Sequence, residues 1–267
     1  MKKGIMIVGS FLFLTMLAEE KLSAYAHLDW GVNFIGLKNK PFRQSPNYRG
    51  QFRYNQTVGF PTLSLDMGIM SGKVFRFLRH DNNFVCGLKI MVSNTAKKIS
   101  GEFLLENINA PELGFVPSGF QVQHDFNVAA FSPYIGVVLN NGQYRYGLTG
   151  GVTVFNKMLD RLQAHEVTLS AGYTGIHLRP RDRALGGTLR VFADRQGEKM
   201  FGGISYEYTR ANQQYGRHIF IERSEALVRD ALLSLHLIPG VNEIEISEAP
   251  TMQIGIHTLS VYVGFRV

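Results

Sequence analysis

Residues 257–267, at the C-terminal end of the chain, alternate strictly between apolar and small or polar side chains. The apolar face consists of Leu259, Val261, Val263, Phe265 and Val267, and the opposite face of Thr258, Ser260, Tyr262, Gly264 and Arg266. A period of two residues is that of a β-strand, and no helix produces it. A soluble sheet can contain one such strand. A transmembrane barrel needs many, because lipid-facing and lumen-facing positions alternate along every strand.

Eight further segments show the same alternation and bring the number of strand-like segments to nine. They cover residues 28–34, 62–77, 84–92, 120–139, 144–154, 167–174, 185–192 and 200–209. A single-chain bacterial barrel has an even number of strands. The pattern therefore predicts an all-β, antiparallel, up-and-down transmembrane barrel of eight or ten strands, with one segment missed, split or merged.

The connections between these segments carry their own signals. Residues 38–57 and 95–119 predict two long external loops, and the sequence Asn-Asn-Gly-Gln at 140–143 predicts a tight turn. Ser132-Pro133 predicts a bend or bulge, because proline removes a donor from the ladder. Residues 222–237 have the apolar spacing of an amphipathic helix. That helix either packs on the barrel rim or contacts a partner or the membrane surface.

The N-terminal residues have the three-part pattern of a secretory signal peptide. Lys2 and Lys3 precede an apolar stretch over residues 4–18, and Ala24-Tyr25-Ala26 fits the small-x-small cleavage pattern. We therefore expect residues 1–26 to be a cleavable signal peptide and residues 27–267 to form one barrel domain. No stretch after residue 26 reaches 18 consecutive apolar residues, so the sequence predicts no transmembrane helix.

The net charge, the distribution of basic residues and the cysteine count limit the kinds of partner and of covalent bond to expect. The formal net charge is +7, which suits anionic lipid headgroups, surface polysaccharide or anions in a pore. No Lys/Arg run or RNA-binding motif is present, so no nucleic-acid partner is expected. The single cysteine, Cys86, excludes an intrachain disulfide and is expected to be a small buried hydrophobe on the apolar face.

Three short stretches resemble the small outer-membrane β-barrels of the opacity/OmpA-type surface-antigen superfamily of Gram-negative bacteria. They are residues 131–137 with their Pro-Tyr-x-Gly pattern, residues 204–209 with Tyr-Glu-Tyr, and the closing strand at 257–266. The resemblance implies an outer-membrane protein with long external loops, inserted by the barrel-assembly machinery through its C-terminal strand. Members usually end in Phe where this chain ends in Val267, so Phe265 is the alternative recognition residue. The resemblance supplies no catalytic residue.

Catalytic and metal-binding constellations are not indicated by the spacing of reactive residues. His257 and Ser260 lie on opposite faces of one predicted strand, and the neighbours His80-Asp81 and His124-Asp125 point apart if extended. The eight histidines and one cysteine show no His-x-Glu or Cys-x-x-Cys spacing. We therefore expect no catalytic, cofactor or metal site and no enzymatic activity, with an outer-membrane hydrolase as a third hypothesis.

If the apolar faces contact lipid, the opposite faces direct a set of charged side chains into the lumen. This set is Asp66, Arg76, Lys89, Arg145, Arg190, Glu207 and Arg266. A narrow eight-stranded barrel would be plugged by such side chains if they form ion pairs. The excess of five basic over two acidic groups would instead suit a thin, anion-preferring pore.

The sequence thus favours a barrel that presents its external loops to a host surface, an envelope partner or lipopolysaccharide. A small porin with weak anion preference is the alternative. A different class, a soluble exported sandwich or barrel, predicts that the apolar faces meet in a core.

Overall fold

The computed structural model describes residues 22–54, 57–73, 81–166, 175–180, 183–222 and 243–266. These residues form twelve strands: β1 (Ser23–Asn39), β2 (Phe42–Arg43), β3 (Tyr48–Tyr54), β4 (Val58–Lys73), β5 (Asp81–Asn107), β6 (Val116–Asn141), β7 (Tyr144–Glu166), β8 (Gly175–Pro180), β9 (Ala184–Gln196), β10 (Met200–Glu222), β11 (Glu243–Glu245) and β12 (Thr251–Arg266). A single 3-10 turn, Pro111–Leu113, precedes β6. Across the described ranges, no helix is long and apolar enough to cross a membrane.

Eight of these strands close into an antiparallel barrel. Neighbouring strands pair in the order β1, β4, β5, β6, β7, β9, β10 and β12. β12 returns to β1 through fifteen residue pairs, from Tyr25 with Arg266 to Asn39 with Met252. The lower of the two predicted strand numbers is therefore confirmed. The closed eight-stranded barrel is also the architecture that the resemblance to small outer-membrane barrels implied.

The sequence segments correspond to these strands with specific differences. The described residues of eight of the nine predicted segments lie in the eight barrel strands. Residues 74–77, Val267 and the whole ninth segment, 167–174, lie outside the described residues, as does the predicted helix apart from Glu222, which ends β10. The predicted bulge at Ser132-Pro133 is wrong, because β6 pairs with β5 in unbroken register through Leu88 and Pro133. The tight turn at 140–143 is confirmed, since Gly142 has φ +62° and connects β6 directly to β7.

Several barrel strands are far longer than a bilayer requires. β5 has 27 residues and β6 has 26, whereas a tilted transmembrane strand needs about 9–11. As a result, most of the predicted second loop at 95–119 is strand, and residues 156–165 continue β7. The predicted first loop at 38–57 also contains two strands, β2 and β3. These strands extend the barrel well beyond one membrane thickness.

The side-chain polarity of the two faces inverts along the strands. On β1 the outward residues are apolar up to Phe34 and then become Gly36 and Lys38, while the inward residues change from Asn33 to Ile35, which is 1% exposed. On β10 and β12 the same exchange occurs just beyond the outward residues Tyr208 and Leu259. Strands with polar inward side chains and apolar outward side chains suit a barrel surrounded by lipid. Strands with apolar inward side chains and polar outward side chains suit a barrel surrounded by water. The exchange therefore marks one edge of an apolar outer belt.

The part of the barrel beyond that edge, which we call the outer tier, is built partly from the connections. β3 pairs with the end of β5, β8 pairs with β7 and β10, and β11 pairs with β10. Backbone hydrogen bonds then join residues 246–248 to both neighbours, from Ile246 N to Arg217 O (2.8 Å) and from Glu248 N to Arg43 O (3.0 Å). Few strand edges remain open, which limits edge-to-edge association.

The first residues of β1 overlap the predicted cleavage site of the signal peptide. Ser23 to Ala26 already pair with β4, Tyr25 and Ala26 also pair with β12, and Tyr25 is buried against the hydroxyl of Tyr134. Residues 1–21 lie outside the described residues. Cleavage after Ala26 would leave thirteen residues of β1, from His27 to Asn39, and would remove Tyr25 from the lumen.

Glycine allows one close contact inside the barrel. A Cβ atom added to Gly147 on β7 would overlap the ring of Phe192, whereas one added to outward-facing Gly150 would have Thr188 O at 3.8 Å as its nearest neighbour. We expect Gly147→Ala to lower the free energy of unfolding by about 1–3 kcal/mol, because overpacking displaces the ring. Gly150→Ala is the matched control on the same strand. Equal unfolding midpoints for the two variants in urea titration would contradict this packing.

Candidate functional site

The lumen-facing side chains form a buried charge network in the part of the barrel between the outer tier and the turn that joins β6 to β7. Five of the seven predicted charges are at most 5% exposed, namely Asp66, Lys89, Arg145, Arg190 and Glu207. Arg266 is half-buried near the end of β12, and Arg76 lies outside the described residues. Asp29 and Asp194 also join the network, with 0% and 4% exposure. Neither Asp29 nor Asp194 was in the set of lumen charges predicted from the sequence.

Arg190 holds the centre of the network together. Its Nη1 donates to Asp66 Oδ2 at 2.7 Å, and its Nη2 donates to Asp29 Oδ1 at 3.1 Å. His27 Nε2 lies 3.3 Å from one oxygen of each of these carboxylates. Two carboxylates from neighbouring strands are thus held by one guanidinium that reaches across from β9. Planar, bidentate recognition of this kind is what arginine provides and lysine does not.

A second ion pair lies beside this centre, towards the outer tier. Lys89 Nζ donates to Glu207 Oε2 at 2.7 Å and lies 3.9 Å from Asp29 Oδ2. Ser64 Oγ donates to the same Asp29 oxygen at 3.2 Å. The three ion-paired carboxylates and two cations therefore form one connected cluster rather than separate pairs.

A third pair closes the lumen towards the turn that joins β6 to β7. Arg145 donates twice to Asp194, from Nε to Oδ1 and from Nη2 to Oδ2, both at 2.7 Å. Tyr262 donates to Asp194 Oδ2 at 3.0 Å, and the Arg145 guanidinium lies 4.5 Å from the centre of the Phe201 ring. A buried charge pair is tolerated when hydrogen bonds satisfy both groups in this way.

The signs of the charges correct one premise drawn from the sequence. The buried network of the described residues has four carboxylates, Asp29, Asp66, Asp194 and Glu207, and three cations, Lys89, Arg145 and Arg190. His27 would make the two signs equal if it carries a proton. The predicted excess of basic groups, on which the anion preference depended, is not present in this network.

Polar and apolar layers fill the lumen on both sides of the charges. Hydroxyl groups of Ser132, Thr153, Thr188 and Thr209 form a hydrogen-bonded chain across β6, β7, β9 and β10. Beyond it, an apolar cluster that includes Ile35, Met91, Phe155 and Ile254 fills the outer tier. A smaller cluster with Tyr25, Val138, Phe201 and Tyr262 fills the opposite end.

Two small cavities lie between these layers of the described side chains. A cavity of about 20 Å³ lies beside Arg145, Arg190 and Asp194, and another of about 10 Å³ lies beside Lys89 and Glu207. Spaces of this size hold about one water molecule each. Neither has the volume of a small-molecule site, for which about 300–1,000 Å³ is typical.

One set of side chains has the composition of a metal site. Ligand atoms of His27, Asp29 and Asp66 lie within 4.8 Å of one another. The two carboxylates already share the Arg190 guanidinium, and a metal ion between them would lie against that cation. The arrangement therefore fits a structural ion network better than a metal centre. Cys86, the one thiol of the chain, lies away from this cluster on the outward face of β5, where it is partly exposed rather than buried.

No family model and no curated protein sequence matches this chain. Among solved structures it is similar to Neisserial surface protein A, with 9% identity, TM-score 0.42 and coverage of 92% of this chain and 99% of that one. It is also similar to the outer membrane protein OprG from Pseudomonas aeruginosa (9%, TM-score 0.38, coverage 92% and 96%) and to the outer membrane protease OmpT from Escherichia coli (8%, TM-score 0.47, coverage 91% and 96%). Identities and TM-scores this low transfer no residue role to this chain.

Proposed function

We propose that this closed eight-stranded barrel sits in the bacterial outer membrane, carries no solute through its interior, and acts through the surface of its outer tier. The domain would comprise residues 27–267 after removal of a signal peptide. Its partners would be the lipid of the outer leaflet and surface molecules of a host or of the envelope. Insertion by the barrel-assembly machinery would use β12, the strand that closes the barrel on β1.

Support for the membrane location comes from the outer belt. Large apolar side chains are exposed on every barrel strand, for example Trp30 (68%), Ile135 (58%), Ile204 (59%) and Val261 (53%). Monomeric soluble proteins rarely expose continuous apolar surface of this extent. The apolar clusters of the interior are consistent with a membrane location, because they lie mainly in the outer tier or at the end of the barrel near the β6–β7 turn, and not at the level of the belt.

The filled lumen is the single observation that carries the closed-barrel proposal. Three buried ion-pair groups, a hydroxyl chain and two apolar clusters follow one another along the barrel axis. Ions would have to displace these groups, and separating a buried charge from its partner costs about 3–5 kcal/mol. The inward-facing side chains of the barrel strands themselves therefore plug the lumen.

Planar-bilayer recording tests this proposal directly. We expect the purified, folded protein to give no steady conductance, because no continuous aqueous path passes Arg145, Arg190 and the apolar cluster. A folded state is verified on the same sample by the change in gel migration before and after boiling. Steady channels with a constant unit conductance would overturn the closed-barrel proposal and favour the small-porin alternative.

We also propose that the protein is not a hydrolase. His27 is 7% exposed and contacts two carboxylates and a guanidinium. The nearby Ser64 donates to Asp29 rather than to an imidazole, so the pair that would activate a serine is missing at this position. Hydrolysis of a peptide or of an acylated glycolipid that is abolished by His27→Ala, with the barrel still folded, would contradict this.

A further inference from the structure

Four exposed cations lie on the outward surface just beyond the apolar belt. Lys38 is on β1, and Lys40 is the first residue after that strand. Arg210 is on β10, and Arg183 immediately precedes β9. These strands are adjacent around the barrel, with β12 between β1 and β10. We call this surface the cationic face.

The strand register places Arg210 and Lys38 in two neighbouring rows on the outward surface, while Lys40 and Arg183 lie just beyond the paired residues of β1 and β9. Arg210 pairs with Gly255, which pairs with Gly36. In the next row Lys38 pairs with Gln253, which pairs with Asn212. With neighbouring strands about 4.8 Å apart and about 3.4 Å per residue along each strand, the Lys38 and Arg210 backbones are roughly 12 Å apart. Two long side chains can converge on one anion or bind two across that distance.

Within the described part of the chain, the cations of this face form no ion pair with a carboxylate. Of the described residues, no carboxylate lies within ion-pair distance of any of the four, and Arg210 donates to the amide oxygen of Gln253 at 3.4 Å. By contrast, the exposed Arg49 of the outer tier is paired with Glu106 at 3.6 Å. The face therefore presents uncompensated positive charge together with neutral amide groups.

The surface around these cations is flat and open. A Cβ added to Gly36 or to Gly187 would meet nothing within 4 Å. Asn212, Gln214 and Gln253 supply amide donors and acceptors between the cations. A flat surface with amides between cations suits a sugar ring whose hydroxyl groups bond to amides and whose phosphates bond to Lys and Arg.

The adjoining row of the belt consists of aromatic rings. Phe34, His257 and Tyr208 lie side by side in register, and Tyr206 bonds through its hydroxyl to His257 Nδ1 at 2.6 Å. Aromatic rings at this level mark the boundary between acyl chains and headgroups. Below them, Ile204, Leu259 and Val261 are at least half exposed and form a surface for acyl chains.

We propose that the cationic face binds the phosphorylated sugar headgroup of a glycolipid of the outer leaflet, with its acyl chains along the belt below. The inference rests on the outer-membrane location proposed above and assigns to it a specific lipid-binding surface. Lys38, Lys40, Arg183 and Arg210 contact phosphate, and the amides contact sugar hydroxyls. The same face would anchor the barrel at a fixed depth in the leaflet.

A binding measurement with purified lipopolysaccharide tests this surface. The folded protein in a zwitterionic detergent is titrated with lipopolysaccharide and, separately, with the same material after enzymatic removal of its phosphates. The variant Lys38→Gln/Lys40→Gln/Arg183→Gln/Arg210→Gln is expected to bind the phosphorylated form at least about tenfold more weakly than the wild type. Removing the phosphates is expected to weaken wild-type binding to the level of this variant.

The matched control removes the same number of positive charges elsewhere. Arg49→Gln/Arg53→Gln/Arg195→Gln/Lys199→Gln alters four exposed cations that are not part of the cationic face, of which Arg53 lies nearest to it, beside the Phe52 whose backbone N–H donates to Asn39. We expect this variant to bind like the wild type. Equal loss of affinity in both variants, or equal binding of the dephosphorylated glycolipid by the wild type, would overturn the proposal. A conducting wild type would overturn the closed-barrel proposal alone and would leave this comparison intact.

Discussion

Introducing an arginine at Ile204 on β10 is expected to lower the free energy of unfolding in phospholipid vesicles by about 2–4 kcal/mol, because the charge enters the lipid near the middle of the belt. Ile204 is 59% exposed and faces outward. In a soluble protein the same substitution would place a charge in water at little cost. The result therefore separates the membrane barrel from the soluble exported barrel or sandwich, and denaturant titration of vesicle-inserted protein measures it.

Two further substitutions on the same strand test where the polarity inverts. Asn212 faces outward beyond the belt, and Asn212→Arg is expected to change the unfolding free energy by less than about 0.5 kcal/mol. The adjacent Ala211 points inward and is 1% exposed, so Ala211→Arg is expected to disrupt the apolar cluster of the outer tier. If Asn212→Arg proves as destabilising as Ile204→Arg, the belt edge has been placed wrongly.

Removing the guanidinium at the centre of the lumen is expected to have the largest effect of any single truncation. Arg190→Met would leave Asp29 and Asp66 buried without their shared cation. Breaking a buried pair by removing one partner costs about 3–5 kcal/mol, because a charge remains without compensation. We expect loss of that size in the free energy of unfolding, measured by denaturant titration in vesicles.

A control and a rescue identify the cause of that loss. Arg195→Met removes an exposed arginine from the opposite face of the same strand and is expected to be near neutral. Arg190→Met combined with Asp66→Asn removes one of the two stranded carboxylates and is expected to recover part of the stability. A double variant that is less stable than Arg190→Met alone would show that the guanidinium stabilises the barrel by packing rather than by charge.

The sequence by itself determined the barrel strands that cross the belt. A strand that crosses lipid must place apolar side chains outward at every second position. This period of two is visible in the sequence of residues such as Leu28 to Phe34 on β1 and Leu259 to Phe265 on β12. The same parity placed Asp66, Lys89, Arg145, Arg190 and Glu207 on the inward face. Local alternation is sufficient for such statements, because it depends on one strand at a time.

The sequence was less informative beyond the belt. There the inward face becomes apolar and the outward face polar, and β5 and β6 contain register shifts near Asn94 and Phe126. Strands in the outer tier therefore lose the apolar-outside alternation, and the sequence predicted loops at 38–57 and 95–119 and no strand after residue 209 until the closing strand. The continuation of β10 to Glu222 is of this kind.

Only the tertiary structure decided which charges meet. Asp29, Asp66 and Arg190 are separated by 37 and 124 residues in sequence, and pairing of β1 with β4 together with closure of the barrel brings them within hydrogen-bonding distance. Asp194 lies beyond the predicted segment 185–192 and pairs with Arg145 because β9 continues to Gln196. Whether the lumen charges balance is a property of the closed barrel, since Lys89, Arg145 and Arg190 each pair with carboxylates from other strands.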